Sequence, residues 1–471
     1  MTNPDSQTPT WRIAVIGSGP SAFYAAQFAL NQKDVDVRLD MFERLPVPFG
    51  LVRLGVAPDH QVVKRVVNIY NKVAAAPGFR YFGNVELGRD LQIEDLERRY
   101  DQIIYAFGCS KSSNIGLPGE ELAGVHGAAE MVGWYNGHPD FRGERYGLSE
   151  VEHAVVIGNG NVALDVARVL LQPPERLAPS DISDAALEEL RRSSIREVSM
   201  LGRRGPAQAA YSAKELEEVD EVDEVELVVS KQEATPDPKS AAWLEEHGSR
   251  GKQRSVRYLK TCSEREPDQH SRKFRCRFLL SPVAFLGSER VEAVRVEQME
   301  IYEDDAGVLR SRSTGTTQDI PCQMVLLSVG YRGDPLPGVP YNERNGAVPN
   351  VDGRVQHEPG GDVRAGHFAV GWSKRGPSGI IGTNMADSRA TVMCMMEDRR
   401  SGSGLNPSSD QDTAELLRER GAEVVTWADW LRLDAWEVAE GKKRGKLRQK
   451  LETVEEMMRV IRELRDAEAD S

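Results

Sequence analysis

Residues 11–22 read Trp11-Arg-Ile-Ala-Val-Ile-Gly-Ser-Gly-Pro-Ser-Ala22. The apolar run Ile13 to Ile16 has the pattern of a strand buried in a parallel sheet. It ends on Gly17-x-Gly19-x-x-Ala22, and Phe23 to Leu30 then reads as a helix. In that setting each small residue has a task. Gly17 permits a tight turn, Gly19 lets the backbone approach a pyrophosphate, and Ala22 lets the helix lie against the strand. The helix N-terminus offers free N–H groups and the positive end of its dipole to phosphates. Val35 to Phe42 reads as a second strand ending on Glu43, whose carboxylate can accept hydrogen bonds from a ribose. Stripped of its strand, helix and acid, the same motif would be a glycine turn in an ordinary α/β domain.

The theme returns further along. Ala154 to Ile157 is a buried strand, Gly158-Asn-Gly160-Asn-Val-Ala163 is the turn, and Leu164 to Leu171 is the helix. Two nucleotide-binding βαβ units are therefore expected. Gln172-Pro-Pro174 breaks the helix, and residues 175–195 read as a helical insertion. The next strand, Ile195 to Leu201, runs into Gly202-Arg203-Arg204-Gly205 instead of an acid. Alone, two arginines after a strand are solvated surface. After a second glycine turn they suit a 2′-phosphate, the group that separates NADP from NAD.

Between the units, residues 44–53 read as an ordered loop rather than a helix because of two prolines and a glycine. Val62 to Val73 has the spacing of one amphipathic helix. Phe79 to Leu87 reads as strands around Gly83-Asn-Val85, and Ile103 to Gly108 as a strand returning to the first sheet. Pro118-Gly-Glu marks a turn and a domain crossing. Met324 to Gly330 is another strand. Phe368 to Trp372, a glycine-rich turn ending at Gly382 and a helix over Ala386 to Met396 form a third cofactor contact. Ser401-Gly-Ser-Gly and Pro407-Ser-Ser read as a flexible linker. The charged tail from Leu416 to Ala469 reads as helical, with Trp427 and Trp430 as anchors.

A chain of 471 residues fits about three domains, or two large ones. Hydrophobic content of 40% beside 28% charged residues is ordinary for a globular protein. No apolar run reaches the roughly 18 residues that span a bilayer. Met1 to Thr10 lacks Arg and Lys, so neither a signal nor a transit peptide is read there, and a cytoplasmic or processed protein is expected. A net charge of −13 argues against general nucleic-acid or anionic-membrane binding. The five cysteines include no CxxC pair, which speaks against a dithiol centre and the usual zinc or iron–sulfur patterns. One region runs against the acidic balance. Arg250, Lys252, Arg254, Arg257, Lys260, Arg265, Arg272, Lys273, Arg275 and Arg277 face only Glu264, Glu266 and Asp268. This is either a solvated strand face or a docking patch for an acidic protein.

These stretches carry a family resemblance. Pro46-Val-Pro-Phe-Gly-Leu-Val-Arg53, Gly55-Val-Ala-Pro-Asp-His60, Gly83-Asn-Val85, Gly133-Trp-Tyr-Asn-Gly137, Gly158 to Arg168, Gly202-Arg-Arg-Gly-Pro206, Lys214-Glu-Leu216 and Gly371-Trp372 to Gly379 are similar to the adrenodoxin reductase family of NADPH–ferredoxin reductases, including its bacterial members. The resemblance covers nearly the whole chain and extends to the tail near Trp430 to Gly441. It implies an α/β fold with two Rossmann-like dinucleotide-binding domains, the NADP domain inserted into a split FAD domain. The expected boundaries are 11–110 and 331–400 for the FAD domain, 111–330 for the NADP domain, 401–412 for a linker, and 413–471 for a tail packing on the FAD domain. FAD contacts carried over by position, beside Gly17 and Gly19 of the first turn, are Ala22, Glu43, Leu51, Val85, Trp372, Gly379, Ile380 and Ile381. NADPH would meet Asn159, Gly160, Asn161 and Val162 at its pyrophosphate, Arg203 and Arg204 at its 2′-phosphate, and Glu215 and Gly379 nearer the nicotinamide. Asn159 stands where the family more commonly has Gln. Arg250 and Arg254 match positions of the ferredoxin-docking region within diverged surroundings.

The implied reaction is hydride transfer from NADPH to FAD, followed by single-electron transfer to a ferredoxin-type iron–sulfur protein. His60, Asp165 and Glu215 are the candidate catalytic polar groups. His60 could equally cap or satisfy the core, Asp165 could bond within its helix, and Glu215 could be a solvated helix residue. A monomer is expected, with no metal, nucleic acid or integral membrane contact. The rival enzymes are a flavin disulfide reductase, which lacks paired cysteines, and a flavin-dependent NADPH oxidoreductase or monooxygenase with a small-molecule acceptor. A third reading treats the glycine motifs as relics and the basic patch as the working surface.

Overall fold

The computed structural model describes residues 10–266, 272–379 and 381–470. The reading of the first nine residues, Asp268 of the charge count and Ile380 of the cofactor contacts lie outside the described residues.

Two parallel sheets dominate. The first has seven strands, in the order Asn350–Val351, Arg354–Gln356, Val363–Ala369, Gln102–Tyr105, Thr10–Ile16, Asp36–Glu43 and Phe79–Gly83. Its five strands from Val363–Ala369 to Phe79–Gly83 pair in parallel, with Ile13 level with Leu39, and the short strands at the other edge add an antiparallel margin. The second sheet has six strands, in the order Val125–Gly127, Met324–Leu327, His153–Ile157, Glu197–Gly202, Arg272–Phe278 and Val225–Val228. The chain thus leaves the first sheet after Tyr105, builds the whole second sheet, and returns to complete the first. Outbound Lys111–Ser112 and returning Tyr331–Arg332 pair with each other as an antiparallel ribbon. An antiparallel sheet of Leu280–Gly287, Val291–Glu303 and Leu309–Pro321 flanks the second unit. The turn at Pro118 belongs there rather than at the crossing, since Phe285 N donates to Pro118 O at 2.8 Å.

Ile13, Val15 and Leu39 of the first sheet and Ala154, Val156 and Met200 of the second are all fully buried, as strands covered on both faces require. Helix Pro20–Leu30 packs against the long helix Ile381–Arg400, and Ser388 Oγ donates to Ser21 O at 2.9 Å. An aromatic cluster joins the tail to this unit. Phe23 stacks on Tyr70 at 4.8 Å, and Trp430 meets Phe49 edge-on at 5.7 Å. Trp427 and Trp430 therefore anchor the tail on the first unit. The tail also grips the second unit, where Lys446 Nζ donates to Ile182 O at 2.9 Å and Lys450 Nζ lies 3.0 Å from Asp181.

Several local expectations need correction. Val62 to Val73 is not one helix but two, Gln61–Lys64 and Val67–Ala74. Five valines between Val62 and Val73 disfavour a continuous α-helix, and i→i+3 bonds tighten the join, with Ile69 N to Val66 O at 2.9 Å. Val62 consequently faces solvent, 67% exposed. The strand from Phe79 stops at Gly83 because Asn84 turns in the left-handed region at φ 58°. Leu51–Leu54 closes the proline-rich loop with one helical turn. Arg250–Ser263 is a helix, so the first half of the basic stretch is not a strand face. The 401–412 segment is tied down, with Leu405 N bonded to Asp101 O at 3.0 Å and Ser408 N to Arg98 O at 2.9 Å. No helix of the described residues is long and apolar enough to cross a membrane.

Candidate functional site

The two glycine turns are built alike. Gly17 N donates to Phe42 O at 2.8 Å, and Gly158 N donates to Leu201 O at 2.9 Å. Gly17 has φ 103° and Gly158 has φ 120°, and a Cβ on either would fall 2.5 Å from Ala106 O or 2.2 Å from Ser328 O. The fold itself therefore demands these glycines. Gly19 and Gly160 differ. Both are extended, both start a helix without a side-chain cap, and a Cβ on either would meet nothing within 4 Å. Nothing inside the protein calls for glycine there. What they leave is open space before a helix N-terminus, the shape that a phosphate group fills. Among the described residues, the N–H groups of Asn161 and Val162 find no acceptor.

Around the first turn, the Glu43 carboxylate accepts from Ser18 N at 3.1 Å, Ser18 Oγ at 2.7 Å and Leu45 N at 3.1 Å. Val85 is buried, and its N donates to Glu43 O at 2.9 Å. A Cβ on Gly50 would sit 3.2 Å from Gly19 Cα, so the loop carrying Leu51 rests on the turn. Ala22, in the first turn of the helix, is fully buried. Gly371, at φ 63°, lies against Ser21, where a Cβ would come within 2.4 Å of Oγ. That contact brings Trp372 to the same helix N-terminus, and Trp372 Nε1 donates to Ser378 O at 3.2 Å. Gly379 turns at φ 84° just before Ile381 opens the long helix.

Around the second turn, Asn161 Oδ1 accepts from Ser212 N at 2.9 Å, and Asn159 O accepts from Ala210 N at 3.1 Å. Both residues tie the turn to the segment that carries Arg203 and Arg204. Those two arginines are exposed and form no ion pair among the described residues. Lys252 joins them. Its ammonium donates to Ala209 O at 3.0 Å and is held below its ordinary pKa by burial and by Arg204. Sequence reading had grouped Lys252 with the docking patch, since only the helix Arg250–Ser263 folds it back towards the diarginine.

Where the two units meet, His60 lies among acids. Its Nδ1 is 3.3 Å from Asp165 Oδ1, its Nε2 is 3.0 Å from Glu218 Oε2, and Glu215 Oε2 stands 3.8 Å away. His60 comes from the first unit, Asp165 from the second glycine-turn helix, and Glu215 and Glu218 from helix Ala213–Asp220. The structure thus gathers His60, Asp165 and Glu215. It also adds Glu218, one turn beyond Glu215 on the same face, which the i, i+3 spacing could have signalled. Arg168 pairs with Asp59 and, at 2.9 Å, with Asp165. Burial raises the pKa of Asp165 against the pull of Arg168. Burial and then Asp165 raise that of Glu215. At Asp59 burial alone would raise the carboxyl, but Arg168 draws it below its ordinary value.

Half of the basic stretch is paired with acids from elsewhere in the second unit. Arg254 pairs with Glu217, Arg265 with Asp220, Lys273 with Glu226, Arg275 with Glu197 and Arg277 with Glu233. Arg250, Arg257 and Lys260 remain exposed on the helix. All five cysteines are free thiols, Cys109, Cys262, Cys276 and Cys322 buried and Cys394 half-buried.

Residues 11–200 match the model of the pyridine nucleotide-disulphide oxidoreductase family. The NADPH-ferredoxin reductase FprA of Mycobacterium tuberculosis is 41% identical over 460 residues, covering 95% of this chain and 98% of the relative. The mitochondrial NADPH:adrenodoxin oxidoreductases of Salvelinus fontinalis and Homo sapiens are each 39% identical, over 96% and 97% of this chain and 91% and 93% of theirs. The solved structure of Mycobacterium tuberculosis FprA in complex with NADPH superposes with a TM-score of 0.89 at 40% identity, covering 96% of this chain and 99% of that one.

Proposed function

Because the chain belongs to the family of NADPH–ferredoxin reductases and NADPH:adrenodoxin oxidoreductases, we propose that it is an FAD-dependent NADPH:ferredoxin oxidoreductase. One observation carries the reading within this molecule. Two glycine turns each leave room for a phosphate before a helix N-terminus, and among the described residues the second is followed by two arginines that form no ion pair. The first cradle fits FAD. Gly17 shapes the turn, Gly19 and Ala22 admit the pyrophosphate and the helix, and Glu43 faces the ribose. Leu51, Val85, Trp372, Gly379 and Ile381 wall the rest, and Ile380 is assigned to FAD by its position in the family motif alone. The second cradle takes NADPH at Asn159, Gly160, Asn161 and Val162, with Arg203, Arg204 and Lys252 on the 2′-phosphate and Glu215 and Gly379 towards the nicotinamide. FAD, when bound, accepts a hydride from NADPH and passes electrons on singly.

The chain's own residues orient and polarise. Asp59, Asp165, Glu215 and Glu218 outnumber Arg168 and Lys214 around His60. That surplus favours a nicotinamide that gains positive charge as its hydride departs. His60, Asp165, Glu215 and Glu218 are therefore the proposed catalytic groups. We divide the chain at 110 and 330, where the paired ribbon crosses, with 331–400 completing the FAD domain and 413–471 clasping both. The partner is a ferredoxin-type iron–sulfur protein, met by Arg250 and, more weakly, by Arg254, which spends its charge on Glu217. The protein is read as a cytoplasmic monomer.

The test is cytochrome c reduction by the purified flavoprotein, with NADPH or NADH, with and without a panel of ferredoxins. NADPH preference and strong stimulation by one ferredoxin are expected. Reduction of small dyes alone, without ferredoxin stimulation, would overturn the acceptor assignment.

A further inference from the structure

The ring of His60 has a carboxylate on each side. Nδ1 faces Asp165 at 3.3 Å and Nε2 faces Glu218 at 3.0 Å. A neutral imidazole carries one N–H, so it can donate to only one of them. The other carboxylate then faces a lone pair, an arrangement that calls for a cation in between. A proton on the ring is one answer. A metal ion is the other, and the donor set is suited to it. His60 Nε2 and one carboxylate oxygen each of Glu215 and Glu218 all lie within 4.8 Å of one another. Asp165 stands on the far ring nitrogen, where a carboxylate orients metal-ligating histidines and raises their basicity. Three protein ligands leave a coordination position open to solvent, as in exchangeable rather than structural sites. The carboxylate surplus around the ring attracts a dication.

We propose that His60, Glu215 and Glu218 form an inhibitory site for a divalent transition-metal ion of the zinc class, and that this ion excludes the nicotinamide. An imidazole nitrogen among the donors selects zinc or cobalt over magnesium and calcium, which prefer oxygen alone. The metal is no part of hydride transfer. It bridges the helix Ala213–Asp220 of the second unit to the His60 loop of the first and fills the space between them. The exclusion half of the proposal rests on reading this cluster as the nicotinamide's neighbour, whereas the metal site itself does not.

The test is equilibrium dialysis of the FAD-loaded enzyme against Zn2+, with Co2+ as a spectroscopic substitute and Mg2+ as a control. One saturable equivalent of Zn2+, a visible Co2+ band displaced by Zn2+, and indifference to Mg2+ are expected. Glu218→Gln and His60→Gln should each weaken metal uptake at least tenfold while the flavin stays bound, and Asp165→Asn should weaken it less. Saturating NADP+ should lower Zn2+ affinity, and Zn2+ should raise the KM for NADPH. No saturable uptake, or uptake unchanged in both ligand variants, overturns the site. Uptake that needs His60 yet ignores NADP+ overturns the exclusion and, with it, the nicotinamide placement, while the metal site stands.

Discussion

His60 Nε2 lies 3.0 Å from Glu218 Oε2 but 3.8 Å from Glu215 Oε2. The acid in contact with the ring is thus the one further along the helix, and Lys214 steadies its other oxygen at 3.0 Å. Glu218→Gln should slow flavin reduction by NADPH about tenfold, roughly 1.4 kcal/mol of barrier. Glu215→Gln should cost less, because its carboxylate only borders the ring. Stopped-flow bleaching of the flavin at saturating NADPH separates the two. An equal loss in both variants would assign the effect to the general field of the cluster rather than to the contact.

Gly17 and Gly19 differ in what they answer to, and substitution should expose that. Gly17→Ala forces a methyl to 2.5 Å from Ala106 O at φ 103°, a clash and a backbone strain worth about 3 kcal/mol together. The variant should melt lower with or without flavin. At Gly19 a Cβ meets no protein atom within 4 Å, so Gly19→Val should leave the secondary structure intact by circular dichroism, yet emerge colourless because the side chain fills the cradle. A yellow, active Gly19→Val protein would remove the first turn from the flavin site.

This contrast also marks what could be read in advance. Both βαβ units were legible because strand, glycine turn and helix are local patterns, and local sterics fix them. The first turn's own hydrogen bonds close within its βαβ unit, Gly17 N to Phe42 O and Ser18 Oγ to Glu43. Glu218 was missed because its role depends on His60, which arrives from another unit. The two-helix form of residues 61–74 was missed for a related reason. Apolar spacing suggested one buried face, but Lys64 is drawn inward to Asp181 at 2.8 Å and Val62 is left outside. The basic stretch looked like a patch in one dimension. In space its arginines pair with acids from other strands and helices, Arg275 with Glu197 and Arg277 with Glu233.

Arg203 and Arg204 have no acidic partner among the described residues, so their charge is available to a ligand. Charge-assisted hydrogen bonds are worth about 1.5–3 kcal/mol each. Arg203→Ala with Arg204→Ala should raise the KM for NADPH by about a hundredfold and leave that for NADH nearly unchanged. Lys252→Ala should move NADPH in the same direction by a smaller factor. Equal losses for the two nucleotides would withdraw the 2′-phosphate assignment.

Arg250 and Arg254 should separate by their partners. Arg250→Glu reverses an exposed charge, so it should raise the KM for a ferredoxin and flatten its dependence on ionic strength. Arg254→Glu places a second acid beside Glu217, so its effect should include a lower melting temperature. Initial rates of cytochrome c reduction across a salt series, read beside thermal melts, resolve the two. An Arg250→Glu enzyme with unchanged coupling would return this helix to ordinary surface.

Asp181 is the single carboxylate between two ammonium groups, Lys64 at 2.8 Å and Lys450 at 3.0 Å, all three buried. Lys450 also donates to Arg53 O and Asn136 O, so this cluster joins the tail to both units. Burial alone would raise the Asp181 carboxyl, but Lys450 and Lys64 hold it well below the usual carboxylate range. Burial lowers the pKa of both lysines against the pull of Asp181. Asp181→Asn strands two buried ammonium groups and should cost about 3 kcal/mol or more. Lys450→Met should cost less, because Lys64 still neutralises Asp181. The pH sign follows from the depressed carboxyl. Its stabilisation is complete above the unfolded value near pH ~4 and is lost as pH falls below it. Thermal melts of the flavoprotein between neutral and acid pH should therefore show a steeper acid loss in the wild type than in Asp181→Asn. If Lys450→Met melted lower than Asp181→Asn, the tail's hold would come from its carbonyl contacts rather than from the shared carboxylate.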